Sequence, residues 1–209
     1  MPHGVLLISD IDHTLKLHNT ATMTPPVPGM PHLLASWVAR WNNPPTDTLT
    51  IKYLTNRWGP LGLLGFGSHA FLSQHYPPGD VFERGWYDIV GWISRSVWHK
   101  SSTLSRGGGL VLPSAQYNVV ILLGDDVDFD AEVYTNAVRG GHVGGSVATI
   151  IAIRIVFGGL SESEQGRQRW RDLTQGLPKG VHTLLHKDTE ELSAMVDRVI
   201  SVAQPLSTL

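Results

Sequence analysis

The sequence of 209 residues predicts an α/β fold: a doubly wound, mainly parallel sheet with helices on both faces. Near-continuous runs of Val, Ile and Leu are typical of strands that are buried on both faces. Segments with the period of amphipathic helices lie between these runs, and Gly and Pro concentrate at the junctions, where loops are expected. Alternation of strand and helix indicates parallel strands joined by right-handed crossovers.

Five apolar runs are the predicted strands, and we expect them to share one sheet. In chain order they are residues 5–9 (VLLIS), 49–55 (LTIKYLT), 118–124 (NVVILLG), 149–157 (TIIAIRIVF) and 182–186 (HTLLH).

Two helices can be delimited from their patterns. Residues 30–41 (MPHLLASWVARW) place five apolar side chains on one face: Leu33, Leu34, Trp37, Val38 and Trp41. Residues 188–203 open with Asp188 as the predicted N-cap and carry Glu190 and Glu191 in the first turn. The predicted loops are TPPVPG, NNPP, YPPGD, SRGGG and RGGHVGG.

Composition favours a single globular domain over residues 1–209, since 42% of the residues are hydrophobic and can form a sizeable core. A net charge of -2 provides no basic face for nucleic acid. The absence of cysteine excludes disulfides, thiolate metal sites and a cysteine nucleophile. No stretch approaches the roughly 20 apolar residues of a membrane span. We therefore expect a cytoplasmic protein whose membrane contact, if any, is peripheral.

Ligands of doubly wound sheets bind at the carboxyl ends of the strands, so polar residues that directly follow strands are the candidate site residues. Asp10 and Asp12 follow the first run, Thr55 and Asn56 lie where the second run ends and just after it, and the acidic segment 124–130 (GDDVDFD) lies at the end of the third. An aspartate after a strand, taken alone, is more often a turn residue or a helix cap. Aspartates that recur at the ends of several strands favour a catalytic or metal-binding role over these structural ones.

Carboxylates that converge without cysteine or paired histidines favour an oxygen-binding cation such as Mg²⁺ over zinc. With Mg²⁺ neutralising a phosphate ester, Asp10 is the predicted nucleophile on phosphorus and Asp12 the general acid and then base. Lys100 and Thr55 are predicted to bind the phosphoryl oxygens. Thr14 and Asn56, polar residues beside these acids and Thr55, are assigned to substrate binding.

Asp10, Asp12 and Thr14 resemble the first motif, DxDxT, of the haloacid-dehalogenase-like phosphohydrolases. More closely, the chain resembles the catalytic domain of the actin-patch-associated phosphatidate phosphatases, which are related to the lipins. The resemblance runs through DIDHTLK, PGMPHLL, YLTNRWGPL, YPPGDVFER, HKSSTL, ILLGDDVDFDAEVYTNAV and AIRIV, all in the family's order.

The resemblance implies a Mg²⁺-dependent phosphatase with Asp10 as nucleophile, Asp12 as acid and base, and Thr55 and Lys100 on the phosphoryl group. It implies Asp125 as a metal ligand and Asp130 as the second acid of a GDxxxxD motif that positions the metal. The predicted metal-binding set is therefore Asp10, Asp12, Asp125 and Asp130.

The chain departs from the family at several positions. His13 stands where the family usually has Asp, Thr55 replaces Ser, and Arg57 and Trp58 replace a Ser-Pro pair. Asp126 replaces a serine beside the metal ligand, which adds negative charge there. Ile155 stands in place of an acid that is common near the fifth predicted strand. The nucleophile, the acid/base and the main ligand are all retained, so we expect activity.

The segment between Thr14 and Thr55 must hold a helix and loops, which leaves no room for a large cap over the site. An open site suits a phosphorylated headgroup at a membrane surface, and Trp58 is the aromatic residue best placed for interfacial contact. The predicted substrate is phosphatidate, hydrolysed to diacylglycerol and phosphate. Soluble phosphate esters or phosphoproteins are the alternative substrates, and a catalytically inactive lipid-headgroup binding module is the alternative function. The sequence does not predict the oligomeric state.

Overall fold

The computed structural model describes residues 3–17, 24–42, 47–58, 68–84, 117–141, 150–155, 163–185 and 189–203. Its strands are β1 (His3–Asp10), β2 (Asp47–Trp58), β3 (Asp80–Arg84), β4 (Val119–Gly124), β5 (Ile150–Ile155) and β6 (Val181–Leu185). Its α-helices are α1 (Met30–Trp41), α2 (Ser68–His75), α3 (Glu132–Arg139), α4 (Glu164–Thr174) and α5 (Thr189–Ala203).

All strands of the described chain pair in parallel in one six-stranded sheet with the order β3-β2-β1-β4-β5-β6. The chain first builds outward from β1 through β2 to β3 and then returns to the other side of β1 with β4. The strand order therefore reverses between β1 and β4. This confirms the predicted doubly wound α/β fold, and the described residues contain no large cap.

The apolar runs are nearly continuous because both faces of the sheet are covered. In β1, Val5 and Leu7 face a cluster formed with α1, α2 and α5, whereas Leu6 and Ile8 face a second cluster formed with α3 and α4. Each of these four side chains is buried. Burial of a Leu or Ile side chain stabilises the fold by roughly 1.5–3 kcal/mol, so alternation of faces gives both helix layers a share of the core.

Helix α1 begins and ends at the predicted residues, and its predicted face is buried. Trp37 and Trp41 stack on that face with ring centroids 5.2 Å apart, and Val38 packs at its margin. Glu190 and Glu191 lie in the first turn of α5 as predicted, which suits the positive end of the helix dipole. Asp188, the predicted N-cap, lies outside the described residues.

The prediction of five strands was wrong by one, because β3 was missed. Its sequence DVFER is short, and three of its five residues are charged, as suits the edge position that β3 occupies in the described sheet. The predicted loop YPPGD is correct for residues 76–79, but its last residue, Asp80, begins the strand. Strand β2 is longer at both ends than the predicted 49–55.

Among the described residues, no helix is both long enough and apolar enough to cross a bilayer. Most of the aromatic residues between Trp58 and Trp98 lie outside the described set, as does the side chain of Trp58. Phe71, which is described, is buried in the core.

Candidate metal centre

The strand register brings the candidate residues to one edge of the sheet. Asp10, the last residue of β1, is paired with Leu54, and its neighbour Ser9 is paired with Leu123 on the other side. Thr55 and Asp125 follow these partners closely in the chain, so both lie at the carboxyl edge beside Asp10. This edge is where the strand order reverses, the usual ligand site of such sheets.

Three carboxylates meet at this edge. Asp10, Asp125 and Asp130 each offer an oxygen, and these oxygens all lie within 4.8 Å of one another. Asp10 and Asp130 are buried, with 3% and 1% of their surface exposed, and Asp125 is partly buried. We call this group the Asp triad.

A π-helical turn carries the third acid of the Asp triad. Residues Val127–Ala131 form the turn, and the amide of Ala131 donates to the carbonyl of Asp126, five residues earlier. The widened turn directs Asp130 back towards β4, where its Oδ2 accepts a hydrogen bond of 3.2 Å from the amide of Asp125. Single π-helical turns of this kind are frequent at functional sites.

The last residue of β4 permits this approach because it has no side chain. A Cβ at Gly124 would lie 2.4 Å from the Cβ of Asp130 and 2.7 Å from its Oδ2. Only glycine therefore allows Asp130 to lie against the strand end at this distance.

The hydroxyl of Thr14 lies between two acids of the Asp triad. It lies 3.2 Å from Oδ2 of Asp10 and 3.5 Å from Oδ1 of Asp125, and its side chain is fully buried. A single hydroxyl proton cannot serve both carboxylates fully. Two ionised carboxylates at 4.8 Å repel by on the order of 3 kcal/mol at an effective dielectric constant of about 20, so a cation would stabilise the group.

The donor set fits a hard divalent cation. It consists of carboxylate oxygens alone, which Mg²⁺ and Ca²⁺ prefer. Two opposite ligands of Mg²⁺ are about 4.2 Å apart, and those of Ca²⁺ about 5 Å apart. The oxygens of the Asp triad lie within 4.8 Å of one another, a separation similar to these values, so the group could hold a metal ion.

Asp12 is not part of this group but is held separately. Its Oδ2 accepts a hydrogen bond of 3.1 Å from the Thr55 hydroxyl, which is fully buried in the last part of β2. Asp12 itself is partly exposed. The two acids of the DxD pattern therefore occupy different environments, Asp10 in the Asp triad and Asp12 against Thr55.

The turn after β1 carries Asp12 and Thr14. The carbonyl of Ile11 accepts hydrogen bonds of 3.0 Å from the amides of both Leu15 and Lys16. His13, within this turn, adopts a left-handed conformation with φ of 61°, which is uncommon outside glycine. Its side chain is exposed.

Some predicted site residues cannot be placed. Lys100 lies outside the described residues, and the side chain of Asn56 is likewise outside them, although its backbone belongs to β2. Their roles, and the assignment of Asp12 as a metal ligand, stay predictions. Of the departures, Asp126 is exposed beside the Asp triad, and Ile155 is fully buried in the apolar cluster under α3 and α4.

Sequence reasoning gave no role to two buried cations near this edge. The Nζ atom of Lys16 lies 4.7 Å from the centroid of the Phe71 ring, and the guanidinium of Arg154 donates to the sulfur of Met30 at 3.1 Å. Both side chains are fully buried. The signal for Arg154 was an arginine inside an otherwise apolar strand, whereas nothing in the sequence distinguishes Lys16 from a surface lysine.

No protein-family model, no curated protein and no solved structure matches this chain. The parallel sheet and the Asp triad beside β1 are compatible with a haloacid-dehalogenase-like protein.

Proposed function

We propose that this protein is a Mg²⁺-dependent phosphatase that hydrolyses phosphomonoesters through an aspartyl-phosphate intermediate. The observation that carries the proposal is the separation of two acids that are two residues apart. Asp10 lies with the other two acids of the Asp triad, and Asp12 lies outside it, bonded to Thr55. That arrangement suits a nucleophile and a proton carrier that act in sequence on one phosphorus atom.

In the first step, a carboxylate oxygen of Asp10 attacks phosphorus, and the bond from phosphorus to the ester oxygen breaks. Asp12 gives its proton to the departing alkoxide. In the second step, Asp12 takes a proton from water as the water oxygen attacks the phosphorus of the intermediate. The bond to Asp10 then breaks, which releases phosphate and restores the carboxylate. A Mg²⁺ held by Asp10, Asp125 and Asp130 would neutralise charge on the phosphoryl oxygens.

Thr55 is suited to couple substrate binding to proton transfer. Its hydroxyl has one proton, which it donates to Asp12 in this structure. A phosphoryl oxygen would compete for that proton, so substrate binding would change the hydrogen bond between Thr55 and Asp12. Lys100 completes the proposed set of phosphoryl-binding groups, as the sequence motif HKSSTL implies.

For the substrate, we propose phosphatidate, which gives diacylglycerol and phosphate. This rests on the motif resemblance and on the absence of a large cap among the described residues. Soluble phosphate esters and phosphoproteins remain the alternative substrates.

A phosphate-release assay with Mg²⁺ tests the proposal. The wild type and Asp10→Asn are compared on phosphatidate-containing vesicles and on a soluble ester. Asp172→Asn, an exposed acid of α4, is the matched control. We expect turnover by the wild type and the control and at least a 1,000-fold loss in Asp10→Asn, on the order of the effect of removing a nucleophile.

The outcome also distinguishes the alternatives. Turnover that survives Asp10→Asn would contradict the proposed mechanism. Turnover of the soluble ester alone would replace phosphatidate as the substrate, and vesicle binding without any turnover would support the inactive headgroup-binding module instead.

A further inference from the structure

The turn that carries the proposed acid/base is fixed at both ends by carbonyl groups. At its start, the carbonyl of Ile11 accepts from the amides of Leu15 and Lys16. At its end, the carbonyl of Leu15 accepts from the amide of Val27 at 2.7 Å and from the hydroxyl of Tyr76 at 2.7 Å. Asp12 lies between these two anchors, so its position depends on both.

Tyr76 reaches this turn from a distant part of the chain. It directly follows α2, its side chain is buried, and its hydrogen bond to Leu15 connects residues 61 positions apart. Its ring packs against Phe71, with centroids 5.7 Å apart. Phe71 in turn contacts the ammonium group of Lys16, the residue after Leu15. Helix α2 and the residue after it therefore contact the end of the turn at two adjacent positions.

The Tyr76 hydroxyl keeps its proton at neutral pH. Burial, and secondarily the neighbouring Tyr53, raise its pKa well above the usual range of tyrosine, so the proton stays in place. The Tyr76 hydroxyl can therefore serve as donor to the carbonyl of Leu15 at neutral pH.

The turn requires such anchors because its backbone is strained. His13 holds a left-handed conformation directly beside Asp12, and a non-glycine residue in that region persists only when surrounding contacts fix it. Proton transfer also depends steeply on position, since a misplacement of about 1 Å can cost about 100-fold in rate.

We propose that Tyr76 is a positioning residue that holds the turn 11–16, and with it Asp12, in the geometry of proton transfer. The inference rests on the proposed phosphatase function. Tyr76 does not contact the Asp triad, so it acts on the position of the acid/base through Leu15.

Two tyrosine variants provide a matched test. Tyr76→Phe removes the hydroxyl and keeps the ring. Tyr53→Phe removes a comparable hydroxyl, since Tyr53 is also buried and donates to a backbone carbonyl, that of Pro77, at 2.7 Å. The two variants should lose similar thermal stability, but only the first loses a contact to the turn.

We expect kcat of Tyr76→Phe to fall by about 10- to 100-fold, because Asp12 is displaced, with KM little changed. In Tyr53→Phe, kcat should stay within about twofold of the wild type, because the contacts to the turn are retained. Hydrogen exchange of the Leu15 and Lys16 amides, read by NMR without substrate, should accelerate in Tyr76→Phe alone. Mg²⁺ affinity should be unchanged in both variants.

Equal exchange of these amides in the two variants would overturn the inference, whether or not the protein is active. Faster exchange with an unchanged kcat would overturn it as well, because the turn would then move without consequence for catalysis. Absence of Asp10-dependent turnover in the wild type would refute the proposed function and the catalytic role of Tyr76 together. The exchange comparison would still decide whether Tyr76 fixes the turn.

Discussion

Two aspartates that are equivalent in a sequence pattern become different chemical groups through the side chains around them. Asp10 is almost fully buried beside two further acids, whereas Asp12 is partly exposed and accepts a hydrogen bond from the Thr55 hydroxyl. Burial among like charges makes an ionised carboxylate dependent on a cation, whereas Asp12 lies outside that group of charges and nearer to solvent. The proposed division into nucleophile and proton carrier follows from this difference.

Thr14 offers a residue-scale prediction. Thr14→Val keeps the shape of the side chain but removes the donor between Asp10 and Asp125. Without metal, we expect the free energy of unfolding to fall by about 1.5–3 kcal/mol, the usual contribution of a hydrogen bond to a charged group. Denaturant unfolding in a chelating buffer measures it.

The control for this prediction is Thr135→Val. Thr135 is equally buried, but its hydroxyl donates to the carbonyl of Ala131 within the helix, a neutral acceptor. Its loss should cost only about 0.5–1.5 kcal/mol. If the two variants lose the same stability, the Thr14 hydroxyl is not bonded to ionised carboxylates.

At the scale of elements, the end of β4 and the π-helical turn form one unit. The strand supplies Asp125 at its end, and the turn returns Asp130 to the same point within six residues. A regular α-helical turn would direct residue 130 elsewhere, because each residue of an α-helix rotates by about 100°. The glycine at the end of β4 is what allows the unit to close.

Gly124→Ala should therefore disrupt the metal site more than the fold. The added Cβ would overlap Asp130, which must move away from Asp125. We expect Mg²⁺ affinity to fall by about 10-fold or more, on the scale of losses seen when groups that orient metal ligands are removed. Isothermal titration measures this change.

Gly141→Ala is the control for this variant. Gly141 has φ of 69° but open space where a Cβ would be, so alanine strains the backbone there without reaching the site. It should lower stability and leave Mg²⁺ affinity unchanged. Equal Mg²⁺ affinity in Gly124→Ala and the wild type would show that Asp130 does not bind the ion.

At the scale of the whole molecule, the order of the strands decides where chemistry can occur. The sheet is covered by helices on both faces, and the loops after β1 and β4 leave towards opposite faces. In doubly wound sheets ligands bind where such connections diverge, and the Asp triad lies at that point. The strands that carry these acids are packed on both faces by the two apolar clusters, so the site is built on the core of the fold.

Metal binding should consequently stabilise the entire fold. A ligand that binds only the native state at 100 times its Kd adds about 2.7 kcal/mol to the free energy of unfolding. We expect Mg²⁺ to raise the Tm of the wild type relative to a chelating buffer. Asp125→Ala should abolish most of that rise, because a ligand is lost from the Asp triad, whereas Asp172→Asn should retain it. A Tm of the wild type that is indifferent to Mg²⁺ would contradict the proposed metal site.

The sequence could predict those parts of the fold that depend on local pattern. The apolar runs specified five of the six strands, and α1 was predicted to the residue because its apolar period acts over one helix length. Strand β3 was missed because it is short and contributes only one apolar residue, Val81 or Phe82, to each face of the sheet, so no apolar run marks it. Asp10, Asp12 and Asp125 were recognisable because each follows an apolar run directly or closely.

What the sequence by itself determined is the fold class and the acidic residues at the strand ends, because periodicity and chain order are local properties. Tertiary structure alone decided how those residues combine. It joined Asp130 to Asp10 across β4, paired Asp12 with Thr55 from another strand, and brought Tyr76 to the carbonyl of Leu15. These contacts connect residues far apart in the chain, and their geometry depends on strand order, register and a π-helical turn, none of which leaves a local pattern in the sequence.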